Sequence, residues 1–213
     1  LHAALDHIAA QEGFASWSLL AAKAAPSGPA AQLLGKLQAG DLVLIAARPR
    51  QGKTLLALQL AVEAAKTGRH GMFFTLEYTE KEVLDRLKEL GAPWPQIADL
   101  FDFDCSNAIC AEYVSEKMAA APRGSIAVID YLQLLDQRRE NPDLMIQVRA
   151  LKSFARENGA IIAFISQIDR SYDPSAKAFP QLQDIRLPNP LDLALFDKAC
   201  FLNNGRLHYQ ATA

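Results

Sequence analysis

A chain of 213 residues that is half hydrophobic and 22% charged carries enough apolar material for one core-bearing domain, and its composition excludes a disordered or fibrous protein. Its net charge of −2 excludes a global basic field, so any nucleic-acid contact must come from local patches. No uncharged apolar run approaches the roughly 18 residues of a membrane span, and Asp6, Gln11 and Glu12 interrupt the place where a signal peptide needs an apolar stretch.

Residues 1 to about 38 are alanine-rich, and their patterning predicts helices at Ala3–Ala10, Ser16–Ala24 and Pro29–Leu37, punctuated by Pro26, Gly28 and Pro29. His2 and His7 do not share a helix face and read as solvated or packed. The segment reads as a helical lead-in, 1–38, ahead of a domain at 39–213. From Asp41 the pattern alternates. Leu42–Ala46 reads as a buried strand, Lys53–Lys66 as a helix ended by Gly68, and Gly71–Leu76 as a second strand.

Thr79 and Glu82 have capping-box spacing, and the helix they open places Val83, Leu84, Leu87 and Leu90 on one face until Pro93 and Pro95 break it. A strand at Phe101–Cys105, a helix at Ala108–Ala121 and a strand at Ser125–Asp130 follow. Next come a helix at Asp143–Asn158 ended by Gly159, and a strand at Ile161–Ile165. A polar loop runs from Asp169 to about Pro190. Lys198–Leu202 and Arg206–Gln210, joined by Asn203-Asn204-Gly205, read as a closing hairpin. Cys105, Cys110 and Cys200 have neither CxxC spacing nor a nearby histidine, and read as buried thiols of a reducing cytoplasm rather than zinc ligands.

Strands alternating with helices predict an α/β fold with a mostly parallel sheet, which binds ligands at the carboxyl ends of its strands. Four segments sit at such ends: Ala47–Thr54, Glu77, Asp130 and Gln167.

The first, Ala47-Arg48-Pro49-Arg50-Gln51-Gly52-Lys53-Thr54, fits the phosphate loop GxxxxGK[ST], with Ala47 in place of the first glycine. Successive amides through Leu55 at the start of the helix can curl around phosphate oxygens. Gly52 permits close backbone approach, Lys53 can reach the outer phosphates, and Thr54 offers a hydroxyl to Mg²⁺. Asp130, at the end of an apolar strand, can hold Mg²⁺ through water; alone it would read as a turn cap, but the phosphate loop upstream favours the metal. Glu77 can orient and deprotonate an attacking water, or be an ordinary charge before a helix. Gln167 reads with equal weight as a contact to the terminal phosphate and as a polar strand end. The loops after two of these strands carry Arg138 and Arg139, and Arg170, Lys177 and Arg186 with Tyr172 and Phe179. They could grip a single strand by phosphate contact and base stacking, although a solvated loop is the commoner meaning of such residues.

Four segments together resemble the C-terminal ATPase domain of the DnaB-type replicative helicases, a branch of the RecA-like P-loop ATPases: GDLVLIAARPRQGKT, FFTLEYTEKEVLDRL, IAVIDYLQLL and LKSFARENGAIIAFISQIDRS. They follow the family's order from about Gly40 to Ser171. The resemblance implies ATP and Mg²⁺ as ligands, with Lys53 and Thr54 on nucleotide and metal, Glu77 as the catalytic glutamate, Asp130 as the metal-linked aspartate and Gln167 as the sensor of the terminal phosphate. It implies that the two loops bind single-stranded DNA and that the chain forms a homo-oligomer, in this family a hexameric ring. Asp184-Ile185-Arg186 resembles the start of the family's Asp-Leu-Arg motif, but continues as Leu187-Pro188-Asn189-Pro190 rather than Glu-Ser-Gly. The late hairpin lacks the family's Lys-x-Arg and offers only Arg206. The expectation is therefore a cytoplasmic, helicase-type ATPase coupled to single-stranded DNA, with a non-motor ATPase of the same fold as the alternative.

Overall fold

Leu42–Ala47 (β1) is buried along its whole length, as a strand must be when helices cover both faces of its sheet. A computed structural model describes residues 6, 9–11, 17, 20, 28–135, 137–175, 177–187 and 189–211. The helices expected at Ala3–Ala10 and Ser16–Ala24 lie largely outside these residues. Pro29–Leu34 (α1) starts on a proline, which needs no N–H in the first turn, and stops at Gly35, short of the expected Leu37.

Lys53–Lys66 (α2) has the bounds its sequence implied. Gly71–Thr75 (β2) follows, then Glu80–Glu89 (α3), whose Thr79–Glu82 capping box forms in both directions. Pro95 does more than break that helix: it sits in the first turn of a new short one, Trp94–Ile97 (α4). Phe101–Asp104 (β3) leads to Ala111–Met118 (α5), shorter than expected because Cys110 is extended at its N-cap. Ile126–Asp130 (β4), Leu144–Asn158 (α6) and Ile161–Gln167 (β5) come next, with β5 running past its expected end to include Gln167. Lys198–Asn203 (β6) and Arg206–Ala211 (β7) form the hairpin.

The sheet has seven strands in the order β3-β2-β4-β5-β1-β6-β7; all neighbours are parallel except the β6–β7 hairpin. Side chains alternate faces with the period of two that pleating imposes. Leu44, Ile129, Phe164 and Phe201 point to the face packed by α5 and α6. Val43, Ile45, Val128 and Ile165 point to the face packed by α1, α2 and α3. On that side α2 presents Ala57, Ala61, Ala64 and Ala65, all buried. These small residues let the helix lie so close that a Cβ placed on Gly71 would stand 2.2 Å from the Ala61 carbonyl oxygen.

Candidate functional site

The strand order β2-β4-β5-β1 sets four carboxyl ends side by side. In register, Thr75 pairs with Asp130 and Ala47 with Gln167. Adjacent strands are about 4.8 Å apart, so groups far apart in sequence reach one cavity.

After β1 the chain turns through Arg48, Pro49, Arg50 and Gln51. Gly52 is left-handed at φ 79° and ψ 23°. Arg50 is also left-handed, at φ 63°, which costs a side-chain-bearing residue about 1–2 kcal/mol. The turn therefore holds a strained shape with left-handed residues, as the concave backbone nests that bind anions do. Ala47 and Leu55 are buried and anchor the two ends of the loop. α2 begins with no capping side chain and no acidic residue in its first turn, whereas α3 has both. Its first-turn amides and positive dipole end are thus left for an anion.

Asp130 ends β4 and is fully buried, with neither carboxylate oxygen hydrogen-bonded. Burial pushes its carboxyl up to about 6, against the pull of the Thr54 hydroxyl and then the Lys53 ammonium, while Glu77 adds to the rise. The Thr54 hydroxyl is near enough to act on it without closing a hydrogen bond of good geometry. Two orphaned oxygens on a buried acid are costly, and a divalent cation bound beside Thr54 would satisfy them. Among the described residues no group of three His, Cys, Asp or Glu side chains is arranged to hold a metal unaided. The donor set fits Mg²⁺, which takes one or two protein ligands and completes its shell with phosphate and water.

Glu77 follows β2 and is exposed, its backbone N–H donating to the Thr75 hydroxyl at 3.0 Å. An open cavity of about 410 Å³ brings Glu77 together with Lys53 and Gln167, and adds Tyr131, Gln133 and Arg186. Tyr131 and Gln133 were given no role by the sequence reading. The signal was there: they alternate with Leu132 and Leu134, which are buried in the short 3-10 turn after β4, and are themselves only half-buried.

The remaining basic residues named above lie in the two loops after β4 and β5. Arg138 and Arg139 are exposed in the loop after β4, with Arg138 3.7 Å from Glu140. Arg170 is exposed just after β5, and Lys177 lies 3.6 Å from Asp184. Arg186 does not stay with them: its backbone returns to β5 and it lines the cavity. The two aromatics of that loop both have partners. Tyr172 is 6% exposed and donates its hydroxyl to the Lys177 carbonyl at 2.6 Å. Phe179 stacks on His208 of β7 at a centroid distance of 5.2 Å. The three cysteines are free thiols, and burial raises Cys105 to about 11 and Cys200 to about 12. No described helix is long and apolar enough to cross a membrane.

A family model for the DnaB-like helicase C terminal domain matches residues 31–92 and 104–191. The replicative DNA helicase DnaB of Leifsonia xyli subsp. xyli is 28% identical over 186 residues, covering 73% of this chain and 41% of that protein. The Nostoc sp. helicase is 27% identical over 180 residues, covering 70% and 20%, and that of Mycoplasma genitalium 26% over 207 residues, covering 78% and 44%. The chain thus spans less than half the length of these relatives. Among solved structures, a DnaB-like replicative helicase described with its interactions with primase superposes with a TM-score of 0.62 at 23% identity, over 76% of this chain and 47% of that one. The ATPase domain of the protein G40P gives 0.61 at 22%, over 77% and 69%. At these identities the structural likeness is one of fold.

Proposed function

This chain belongs to the DnaB-like helicase C-terminal domain family, and from that premise we propose that its cavity binds and hydrolyses Mg·ATP, coupled to single-stranded DNA. The observation that carries this reading is the convergence of Lys53, Glu77 and Gln167 on one cavity beside a buried aspartate with two unsatisfied oxygens. The turn Ala47–Thr54 and the amide of Leu55 cradle the phosphates. Thr54 and Asp130 hold Mg²⁺, which neutralises phosphate charge. Lys53 stabilises charge on the outer phosphates, and Glu77 takes a proton from the attacking water. Gln167 contacts the terminal phosphate and links it to the 169–186 loop, since its backbone carbonyl accepts the Arg186 N–H at 2.8 Å.

Residues 39–213 form the ATPase domain in this reading and 1–38 a helical lead-in, whose α1 packs on α2 through Leu33 and Leu34. Arg138, Arg139, Arg170 and Lys177 supply the phosphate contacts to DNA. The protein works in the cytoplasm as a homo-oligomer, with a hexameric ring as the family form. Phosphate release from ATP with and without single-stranded DNA tests the coupling, and light scattering with ATP tests assembly. A DNA-independent rate in a monomer would sink both.

A second reading, a non-motor ATPase of the same fold, is favoured by the hairpin. Its turn carries Asn203-Asn204-Gly205 and Arg206 rather than a Lys-x-Arg, and Asn204 at its tip bonds to Gln51 of the same chain. DNA-stimulated turnover without strand separation is its signature.

A further inference from the structure

We propose that Arg186 completes the nucleotide site from within its own chain, reaching the terminal phosphate beside Lys53 and Gln167 rather than gripping DNA from the loop. This inference rests on the reading of the cavity as an ATP site.

Three connections bring Arg186 to the cavity. Asp169 donates its N–H to the Asp184 carbonyl at 2.7 Å, and Ile168 and Ile185 form an antiparallel bridge. The Arg186 N–H then closes on the Gln167 carbonyl at 2.8 Å. Backbone bonds therefore fix the Cα of Arg186 against the last residue of β5. The guanidinium is held more loosely, 3.5 Å from Gln167 Oε1 and exposed. That combination suits a group which must pivot onto an arriving anion at little desolvation cost.

Charge and shape agree with this. Among the described residues lining the cavity, Lys53 and Arg186 are the cations and Glu77 is the carboxylate. Lysine contributes a point charge, whereas the planar guanidinium can meet two phosphate oxygens at once. The β6–β7 turn carries no Lys-x-Arg to supply such a group. Pairing with Gln167 makes the same amide the neighbour of both the arginine and the phosphate, so loss of the terminal phosphate would return the guanidinium to Gln167.

The test is equilibrium affinity, in Mg²⁺, for ADP and for a non-hydrolysable imido analogue of ATP. It uses the wild type, Arg186→Ala and Arg186→Lys, with single-stranded DNA affinity measured in parallel. The wild type should prefer the triphosphate. Arg186→Ala should lose about tenfold or more in triphosphate affinity while ADP affinity, which also reports the fold, stays within about twofold. Arg186→Lys should recover part of the loss. Unchanged nucleotide affinities with weakened DNA binding would overturn the inference and leave the ATP site standing. Equal losses for both nucleotides would overturn it as well. A wild type that binds neither nucleotide would remove the ATP reading and this inference together.

Discussion

The backbone N–H of Asn204, at the tip of the β6–β7 turn, donates to Oε1 of Gln51 in the turn after β1 across 2.8 Å, joining residues 153 positions apart. The hairpin also donates from Asn203 Nδ2 to the Ala178 carbonyl at 2.9 Å and stacks His208 on Phe179. The hairpin thus touches both the turn after β1 and the loop after β5.

That turn depends on left-handed backbone at Asn204 (φ 49°) and Gly205 (φ 73°). Gly205→Ala should cost about 1 kcal/mol of stability and weaken nucleotide binding severalfold by shifting the tip off Gln51. Gly68→Ala, at φ 80° with open space around it and at the other end of α2, should cost similar stability and leave affinity alone. Denaturant midpoints and nucleotide titrations on both variants check this; equal affinities would show that the hairpin does not steady the loop.

Asp130 should trade stability for function. Its carboxyl titrates near 6 when folded, against an ordinary 3.8. Between those values the native state holds the extra proton, so stability falls as pH rises from about 4 to 6 and is flat above. The cost of ionisation above pH 6 is about 3 kcal/mol. Asp130→Asn should therefore stabilise the nucleotide-free protein at pH 7 by about 1–3 kcal/mol, remove that pH slope, and abolish Mg²⁺-dependent nucleotide binding. Thermal melts across pH read this directly, and identical curves for the two proteins would contradict it.

Gly71 sits where β2 passes under α2. An alanine there meets backbone rather than a flexible side chain, 2.2 Å from the Ala61 oxygen. Gly71→Ala should cost about 3 kcal/mol or more in urea unfolding. A loss below about 0.5 kcal/mol would mean that helix and strand are not in that contact.

The regular elements could be read because their edges are chemically marked. α2 begins at Gly52-Lys53-Thr54 and closes before Gly68, and α3 opens on a capping box whose two bonds both form. Asp130 at the end of β4 and Glu77 just beyond β2 could be placed because the buried strands stop there. What local pattern does not encode is the return of a loop. Nothing near Arg186 says that it comes back to Gln167, since the bridge between Ile168 and Ile185 is a tertiary pairing. Tyr172 looked available because its neighbours are polar, yet it packs into the core and bonds within its own loop. Tyr131 and Gln133 carry an alternation with buried Leu132 and Leu134 that marks them as less buried, but nothing in so short a turn says that they line the cavity.

Phosphate release from Mg·ATP by the wild type and by Glu77→Gln is the most direct test of the central claim. The wild type should show measurable turnover and the variant a loss of about 100-fold or more, with nucleotide affinity unchanged within about threefold. Equal rates in the two proteins would take Glu77 out of the chemistry, and the cavity lined by Lys53, Glu77 and Gln167 would no longer be the site of ATP hydrolysis.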